Sequence, residues 1–175
     1  TMLADELRAM GVADVSQSDF GIVVATLPSR GVDSAPVVAF NSHIDTSPET
    51  TGANVNPQVI ERYQGGDITL PSDANKVIRV AENPELDDLH GSTVITTDGT
   101  TLLGGDDKAG LAIIMEMAQC LLENDDIVHG PIRLLFTCDE EIGRGIDHVD
   151  IDKLDATVCY TLDGAGAGDI DYETF

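Results

Sequence analysis

The apolar residues of this chain form two kinds of pattern, one with helical spacing and one of continuous runs. Residues 2–10 are spaced as in a short helix, and Gly11 is a typical residue to end it. From Leu111 to Leu122 the apolar residues recur every three or four positions, so they share one face of a helix. The face at 111–122 is broad enough to cover a sheet.

Continuous apolar runs are typical of strands that are buried on both faces of a sheet. Besides one shorter strand at 93–96, the main runs lie at 22–27, 37–40, 132–138 and 156–162. Because these strands alternate with helices, the pattern predicts an α/β domain with a largely parallel sheet. Sheets of this kind bind their ligands beyond the carboxyl ends of the strands.

Two further segments have weaker patterns. Residues 47–92 are rich in Pro, Gly, Asn and Asp and show little periodicity, so we interpret them as a long, partly ordered excursion. An excursion of this length in a compact domain is usually functional or contains small elements of its own. Residues 168–175 look like the start of another strand.

Composition limits the classes of partner. The chain has 175 residues, enough for one domain with a core, and its formal net charge is −23, from 32 acidic and 9 basic residues. Such a charge repels nucleic acid and anionic membranes, so we expect neither as a partner. No apolar run reaches the roughly 18 residues of a membrane-spanning helix, and no secretory leader is evident.

The three cysteines bear on the cellular compartment. Cys120, Cys138 and Cys159 have no C-x-x-C spacing, and each lies in an apolar context. We therefore expect buried, reduced thiols rather than a disulfide or a zinc knot, which favours a cytoplasmic protein. We reject Cys138 as a nucleophile because no His is near it in sequence and because neighbouring carboxylates raise the pKa of a thiol.

The carboxyl end of the strand at 132–138 carries candidate chemistry. It leads directly into three consecutive carboxylates, Asp139, Glu140 and Glu141. Adjacent like charges at the mouth of a buried strand repel one another and resist desolvation, and a divalent cation compensates them best. The alternative is a strand end that runs into a solvated acidic loop.

Two other strands also end in ionisable groups. His43 and Asp45 are two residues apart, which places both side chains on one face of the strand. The Asp can then accept the second imidazole proton and fix the tautomer for metal ligation, although a solvated loop would also contain such a pair. Asp163 follows the last strand, and Asp163-Gly164 is equally compatible with an ordinary turn.

Asp106 precedes the predicted helix at 111–122, where an Asp commonly serves as the N-terminal cap. A cap alone does not need two adjacent carboxylates after two glycines, as in Gly104-Gly105-Asp106-Asp107. Since each of the ionisable residues ends a strand or begins a helix, we expect them to gather on one rim of the sheet.

These residues lie within four motifs whose combination is highly specific, although each motif alone is not. In their order, the motifs resemble those of the dinuclear zinc aminopeptidases and deacylases, the family of carboxypeptidase G and the aminoacylases. They are most similar to its tripeptide aminopeptidases, and the resemblance runs from about residue 3 to residue 175. The motifs are His43-x-Asp45, Gly105-Asp106-Asp107-Lys108-Ala109-Gly110, Asp139-Glu140-Glu141-Ile142-Gly143 and Leu162-Asp163-Gly164.

The resemblance implies a fold and a set of metal ligands. The fold is a three-layer αβα sandwich with a mostly parallel central sheet, as in the zinc exopeptidases. Two zinc ions would share Asp106 as a bridging ligand. His43 and Asp163 would complete the protein ligands of one ion, and Glu141 would bind the other.

The resemblance also implies a reaction, which is removal of the N-terminal residue from short peptides such as tripeptides. Glu140 would be the general base that activates the attacking water, and Asp45 would orient the imidazole of His43. The peptide bond between Asp106 and Asp107 would be cis. The whole enzyme would be cytoplasmic and would dimerise through a further domain.

The chain departs from the family because it ends at Phe175. Members of the family continue into a second domain and then return to the catalytic domain with a further His ligand for the Glu141 metal. Residues 1–175 would therefore be the N-terminal portion of a catalytic domain, and the fold would be incomplete. We expect this fragment alone to bind at most one zinc tightly and to be inactive.

Two alternatives remain open. Within the family, a carboxypeptidase or an N-acyl amino acid deacylase would use the same metal chemistry, but an Asp rather than a Glu at position 163 favours the aminopeptidases. Outside the family, a non-catalytic acidic domain would bind cations through oxygen atoms alone and would give His43 no role.

Overall fold

The computed structural model describes residues 2–164, 168 and 170, and within these the chain forms two compact units. One unit contains the residues up to Ser47 and from Gly105 onward, and the other is Pro48–Gly104. In chain order the elements are α1 (Met2–Ala9), β1 (Asp14–Gln17), β2 (Val23–Leu27), β3 (Val38–His43), β4 (Pro57–Ile60), β5 (Ile68–Thr69), β6 (Val77–Ile78), β7 (Val94–Thr97), α2 (Gly105–Glu123), β8 (Ile132–Thr137), α3 (Ile151–Leu154) and β9 (Val158–Thr161), with short 3-10 helices at Pro84–Leu89 and Glu140–Ile142.

The first unit is built on a five-stranded sheet with the strand order β1-β2-β8-β3-β9. Strands β8, β3 and β9 pair in parallel, whereas β2 is antiparallel to both of its neighbours. Four of the five strands therefore point in the same direction, which confirms the predicted mostly parallel sheet. The register pairs His43 with Thr137, so β3 and β8 end at the same level.

Helices cover the two faces of this sheet and produce the predicted three layers. Alternate side chains of each strand point to opposite faces. One face packs against α1 and α2, and the other packs against α3 through Leu154. On the first face, Phe136, Leu134 and Ile114 are fully buried, and burial of each such side chain stabilises the fold by about 1.5–3 kcal/mol.

Several expectations need correction or fall outside the described residues. Strand β1 was not predicted, because its sequence of mainly polar residues has no apolar run. The cysteines are free as predicted, but Cys120 and Cys159 are exposed. Cys120 lies on the outer side of α2, and Cys159 lies on β9, the last strand of the described sheet. The strand start predicted at 168–175 lies almost wholly outside the described residues.

The second unit corresponds to most of the predicted excursion and contains small elements of its own. It has two antiparallel strand pairs, β4 with β7 and β5 with β6. Its core is formed by four buried side chains, Tyr63, Ile68, Leu70 and Leu86. Over the described part of the whole chain, no helix is long and apolar enough to cross a membrane.

The turn at 97–100 in the second unit is organised by one carboxylate. Asp98 is 7% exposed, and it accepts hydrogen bonds from the Thr100 backbone N–H at 2.9 Å, the Thr100 hydroxyl at 2.6 Å and the Asn56 amide at 3.1 Å. These donors, led by the Thr100 hydroxyl, lower the pKa of Asp98 to about 2. A carboxylate that accepts several hydrogen bonds is stable as an anion.

Candidate metal centre

The end of β3 places one imidazole among carboxylates. The side chain of His43 is 1% exposed, and its Nε2 atom faces an oxygen of each of three acidic side chains. The distances are 2.8 Å to Asp106, 3.8 Å to Glu140 and 3.8 Å to Asp163. Residues predicted at four separate places in the sequence are therefore neighbours in space. We call His43, Asp106, Glu140, Glu141 and Asp163 the rim cluster.

The topology of the sheet explains why these segments meet. His43 is the last residue of β3, the acidic stretch follows β8, and Asp163 follows β9. Because β3, β8 and β9 are parallel, their carboxyl ends lie at one edge of the sheet. Asp106 reaches the same edge from the first turn of α2, which contacts β3.

The adjacent carboxylates Asp106 and Asp107 have opposite environments. Asp107 is 3% exposed, and its oxygens accept the backbone N–H of Gly110 at 3.1 Å and that of His43 at 3.3 Å. The Asp106 side chain is 73% exposed and contacts the His43 ring. The bond between the two residues is cis, as predicted, and neither has helical φ and ψ.

Asp107 therefore caps the helix, a role that the sequence analysis considered for Asp106. Its Oδ1 atom bonds the N–H three residues later, as an N-terminal cap does. The sequence motifs predict no separate role for Asp107. The available signal was the second carboxylate itself, because one Asp can cap the helix while the other remains free to face His43.

Asp45 connects β3 to the acidic stretch. Its two carboxylate oxygens accept the backbone N–H of Glu140 at 3.3 Å and that of Glu141 at 3.1 Å. Its Oδ1 atom also lies 3.3 Å from Nδ1 of His43, within ion-pair distance. That contact lacks hydrogen-bond geometry, and no other described residue supplies His43 Nδ1 with a hydrogen-bond partner.

Two groups of side chains in the described part of the chain are close enough to hold a metal ion. One consists of His43, Asp106 and Glu141, and the other of His43, Asp107 and Asp163, each with ligand atoms within 4.8 Å of one another. The second group contains Asp107 where the resemblance implies Asp106. We favour Asp106, because both oxygens of Asp107 already accept backbone N–H groups.

The pKa values of His43 and Glu140 in the rim cluster are both raised, through different balances of burial and charge. Burial lowers the pKa of His43, but the hydrogen bond with Asp106 and the charges of Asp163, Asp45 and Glu140 raise it above 6.5 overall. Burial raises the pKa of Glu140, and the charge of Asp163 adds to that effect while His43 opposes it. At His43 the hydrogen bond with Asp106 and the neighbouring negative charges outweigh burial, whereas at Glu140 burial is the largest cause of the raised pKa.

Burial is also the largest cause of the raised pKa values of Asp163, another member of the rim cluster, and of Cys138. Burial raises the pKa of Asp163, followed by the charges of Asp107 and Asp106. Burial and the charges of Asp45 and Asp139 raise the pKa of the Cys138 thiol, in agreement with the rejection of Cys138 as a nucleophile.

Comparison with known proteins gives a consistent set of relatives. No family model matches the chain. The chain is 49% identical over 174 residues to Peptidase T of Geobacillus kaustophilus strain HTA426, a match that covers 99% of this chain and 42% of the relative. The chain thus spans about two fifths of the length of the curated relatives it matches.

Solved structures agree with the sequence relatives. The aminopeptidase PepT of Bacillus cereus ATCC 10987 superposes with a TM-score of 0.66 and 29% identity, over 94% of this chain and 37% of that one. A tripeptidase of Staphylococcus aureus subsp. aureus Mu50 has the same TM-score and coverage at 28% identity. Over almost its whole length, the chain is therefore similar in sequence and in fold to proteins of the peptidase T family.

Proposed function

We propose that this chain carries part of the active site of a metal-dependent aminopeptidase that removes the N-terminal residue from tripeptides. The observation that supports it most is the rim cluster, in which His43 Nε2 faces three carboxylates within 3.8 Å. The names of the relatives, Peptidase T, aminopeptidase and tripeptidase, give the proposed reaction.

The donor set of the rim cluster fits zinc. An imidazole nitrogen and carboxylate oxygens are ordinary zinc ligands, and three protein ligands leave a position open. Neighbouring carboxylates add to the effect of burial on the pKa of Asp163 and outweigh that effect on the pKa of His43, so a cation at this site would relieve their repulsion. We propose that His43, Asp106 and Asp163 hold one zinc ion. A bound zinc ion would supply Lewis acidity at the scissile carbonyl and toward the attacking water.

We propose Glu140 as the general base. Its side chain is 48% exposed and its Oε2 atom lies 3.8 Å from His43 Nε2, so it faces the rim with access to solvent. Its raised pKa suits a group that first accepts a proton at Oε2 and then donates it to the leaving amine. Such catalysis contributes about 100- to 10,000-fold to the rate.

Asp45 acts in this proposal by holding other groups. Its two bonds to backbone N–H groups fix the start of the acidic stretch, which carries Glu140 and Glu141. Its position 3.3 Å from Nδ1 of His43 supports the proposal that it orients the imidazole.

We propose that the chain alone binds at most one zinc ion tightly. If His43 binds the same ion as Asp163, then only Asp106 and Glu141 of the group His43, Asp106 and Glu141 remain as ligands for a second ion. Two carboxylates hold zinc more weakly than a site that includes an imidazole. The proposal also covers the substrate, a short peptide, and a cytoplasmic location, with which three free cysteines agree.

The two alternatives are less well supported. A cation-binding domain without catalysis gives His43 no role, yet His43 is at the centre of the rim cluster. A carboxypeptidase or deacylase would use the same cluster, but two similar solved structures carry the names aminopeptidase and tripeptidase.

A chimera tests the proposed reaction. The matching segment of the Geobacillus kaustophilus relative is replaced by this chain, and tripeptide cleavage is measured with zinc present. We expect cleavage, and we expect Glu140→Gln to lower kcat by about 100- to 10,000-fold while zinc remains bound. Glu6→Gln in α1 is the matched control and should leave kcat unchanged.

A chimera that folds and binds zinc but does not cleave tripeptides would contradict the proposed reaction. Full activity of the Glu140→Gln chimera would contradict the role of Glu140 alone. Release of a C-terminal residue from the tripeptide would favour the carboxypeptidase alternative.

A further inference from the structure

The second carboxylate of the Asp106–Asp107 pair connects two elements of the first unit. Its side chain bonds the backbone N–H of His43, at the end of β3, and that of Gly110, in the first turn of α2. Its own carbonyl oxygen accepts the hydroxyl of Ser42 at 2.9 Å. Two hydrogen bonds therefore hold Asp107 against the last two residues of β3, and a third ties its side chain to the first turn of α2.

These bonds are formed away from solvent. Asp107 is 3% exposed, Ser42 is fully buried, and Gly110 is also buried. A buried carboxylate is costly unless donors satisfy it, and charge-assisted bonds to backbone N–H groups are among the stronger ones. Asp107 therefore has little freedom to move relative to the backbone of His43.

A close approach at Gly110 brings a third segment to the same place. A Cβ atom at position 110 would fall on the carbonyl oxygen of Leu162 and would lie 2.5 Å from Oδ1 of Asp107. Only a glycine therefore lets α2 approach this segment, and the residue after Leu162 is Asp163. The segments that carry the three proposed ligands of the first zinc ion all meet at Asp107.

We infer that Asp107 is a positioning residue that sets the spacing of His43, Asp106 and Asp163 for one metal ion. This inference rests on the proposed function, because it presupposes that these three side chains hold zinc. Asp107 would act through the backbone of His43 and the first turn of α2, without contacting the ion. Loss of a group that orients metal ligands typically costs about 10- to 100-fold in metal affinity.

Direct ligation by Asp107 is the competing explanation of its location. Its oxygens lie within 4.8 Å of ligand atoms of His43 and Asp163. The two explanations differ in what they predict for Ser42, which touches the Asp107 carbonyl and not its carboxylate. Loss of the Ser42 hydroxyl should loosen the spacing of the ligands but should not remove a ligand.

Calorimetric titration of the chain with zinc distinguishes these explanations. We expect Asp107→Asn to weaken binding by about 10- to 100-fold, since an amide can accept from only one of the two N–H groups. Ser42→Ala, which removes one hydroxyl, should weaken binding in the same direction by about threefold to tenfold. The visible spectrum of Co²⁺ bound in place of zinc should change in both variants.

Asp98→Asn is the matched control, because Asp98 is also a buried carboxylate with several donors but belongs to the second unit. It should leave zinc affinity unchanged. Unchanged affinity in folded Asp107→Asn would overturn the inference and leave the zinc site intact. Abolished binding in Asp107→Asn with wild-type affinity in Ser42→Ala would overturn it in favour of direct ligation.

If Asp107→Asn does not fold, the Ser42→Ala titration alone decides, and wild-type affinity in that variant overturns the inference. Absence of zinc binding by the unaltered chain would refute the proposed metal site and the inference together. If the unaltered chain binds zinc but the variants bind it as expected for no role of Asp107, only the inference fails and the proposed metal site stands.

Discussion

The rim cluster and the turn around Asp98 are both rich in oxygen acceptors, yet their pKa shifts have opposite signs. At the turn, hydroxyl, amide and backbone N–H groups lower the pKa of Asp98 to about 2. At the rim, burial and neighbouring negative charges raise the pKa values of Glu140 and Asp163. The first carboxylate has its own donors, whereas the rim has more acceptors than donors.

This difference separates structural carboxylates from functional ones. A carboxylate with its donors supplied is stable as an anion, and it makes a turn or a cap more stable. Carboxylates that face one another around an imidazole are destabilised until protons or a cation join them. Within the Asp106–Asp107 pair the same contrast recurs, since the oxygens of Asp107 accept backbone N–H groups while Asp106 faces the imidazole.

The largest expected effect is on zinc affinity when the imidazole is removed. We expect His43→Ala to weaken zinc binding by at least about 100-fold, because even the loss of a group that only orients a ligand costs about 10- to 100-fold. Glu141→Gln should change the affinity of the tight site by less than about threefold, since Glu141 would belong to the weak second position. Calorimetric titration of both variants with zinc measures the two affinities. Equal losses of affinity would contradict the assignment of His43 to the tight zinc position and of Glu141 to the weak one.

The second expected effect concerns the packing that brings the rim together. Gly110→Ala should lower the free energy of unfolding by about 1–3 kcal/mol, because the added Cβ meets the carbonyl oxygen of Leu162 and the Asp107 carboxylate. Gly105→Ala is the control, since a Cβ at that position meets nothing within 4 Å. Urea unfolding of the two variants gives the comparison, and equal stability would contradict the close approach at Gly110.

The third expectation uses the opposite signs of the pKa shifts. The raised folded-state pKa values of His43, Glu140 and Asp163 contribute stability at low pH, and this is lost as pH rises through those values. The lowered pKa of Asp98 contributes stability above its ordinary value of 3.8, and this is lost as pH falls toward about 2.

Bound zinc should reverse the pH dependence that the rim cluster gives to the free energy of unfolding. Since zinc binds the deprotonated ligands, the stabilisation by zinc should grow as pH rises from about 5 to 8. Urea unfolding with zinc or with a chelator measures the difference, and His43→Ala should abolish it. A stabilisation by zinc that is independent of pH would contradict the assignment of titrating groups as ligands.

The smallest expected effect is local to the second unit. Asp98→Asn replaces one of the two acceptor oxygens by an NH2 group, so either the bond from the Thr100 N–H or the bond from the Asn56 amide is lost. We expect faster amide hydrogen exchange at 97–100 and a weaker loss of stability in acid, with no change in zinc affinity. A change in zinc affinity would show that the two regions are not independent in this respect.

The elements that reach the rim are predictable from the amino-acid sequence alone. Helical spacing at 111–122 predicts α2, because burial of one face leaves a period of three to four residues. The apolar runs at 132–138 and 37–40 predict β8 and β3, because burial of both faces leaves a continuous apolar stretch. The parallel sheet then requires its carboxyl ends to share one edge. Hence the meeting of His43 with Glu140 and Asp163 was predictable without coordinates.

Short exposed elements were not predictable in the same way. Strand β1 has four mostly polar residues, and its pairing with β2 depends on backbone hydrogen bonds that have no side-chain period. The antiparallel direction of β2 also depends on its partners rather than on its own composition. For the same reason, residues 47–92 are interpreted from the sequence as an excursion, although the unit Pro48–Gly104 that contains most of them has a core of its own.

The different roles of neighbouring carboxylates are not predictable from the sequence, because they depend on segments that meet only in the folded chain. In the sequence, Asp106 and Asp107 are equivalent acids before a helix, and either could cap it. The fold buries Asp107 against the backbone N–H groups of His43 and Gly110 and turns Asp106 toward the imidazole. Burial and the direction of a donor arise from segments distant along the chain, and these decide which acid stabilises the structure and which remains available to a metal.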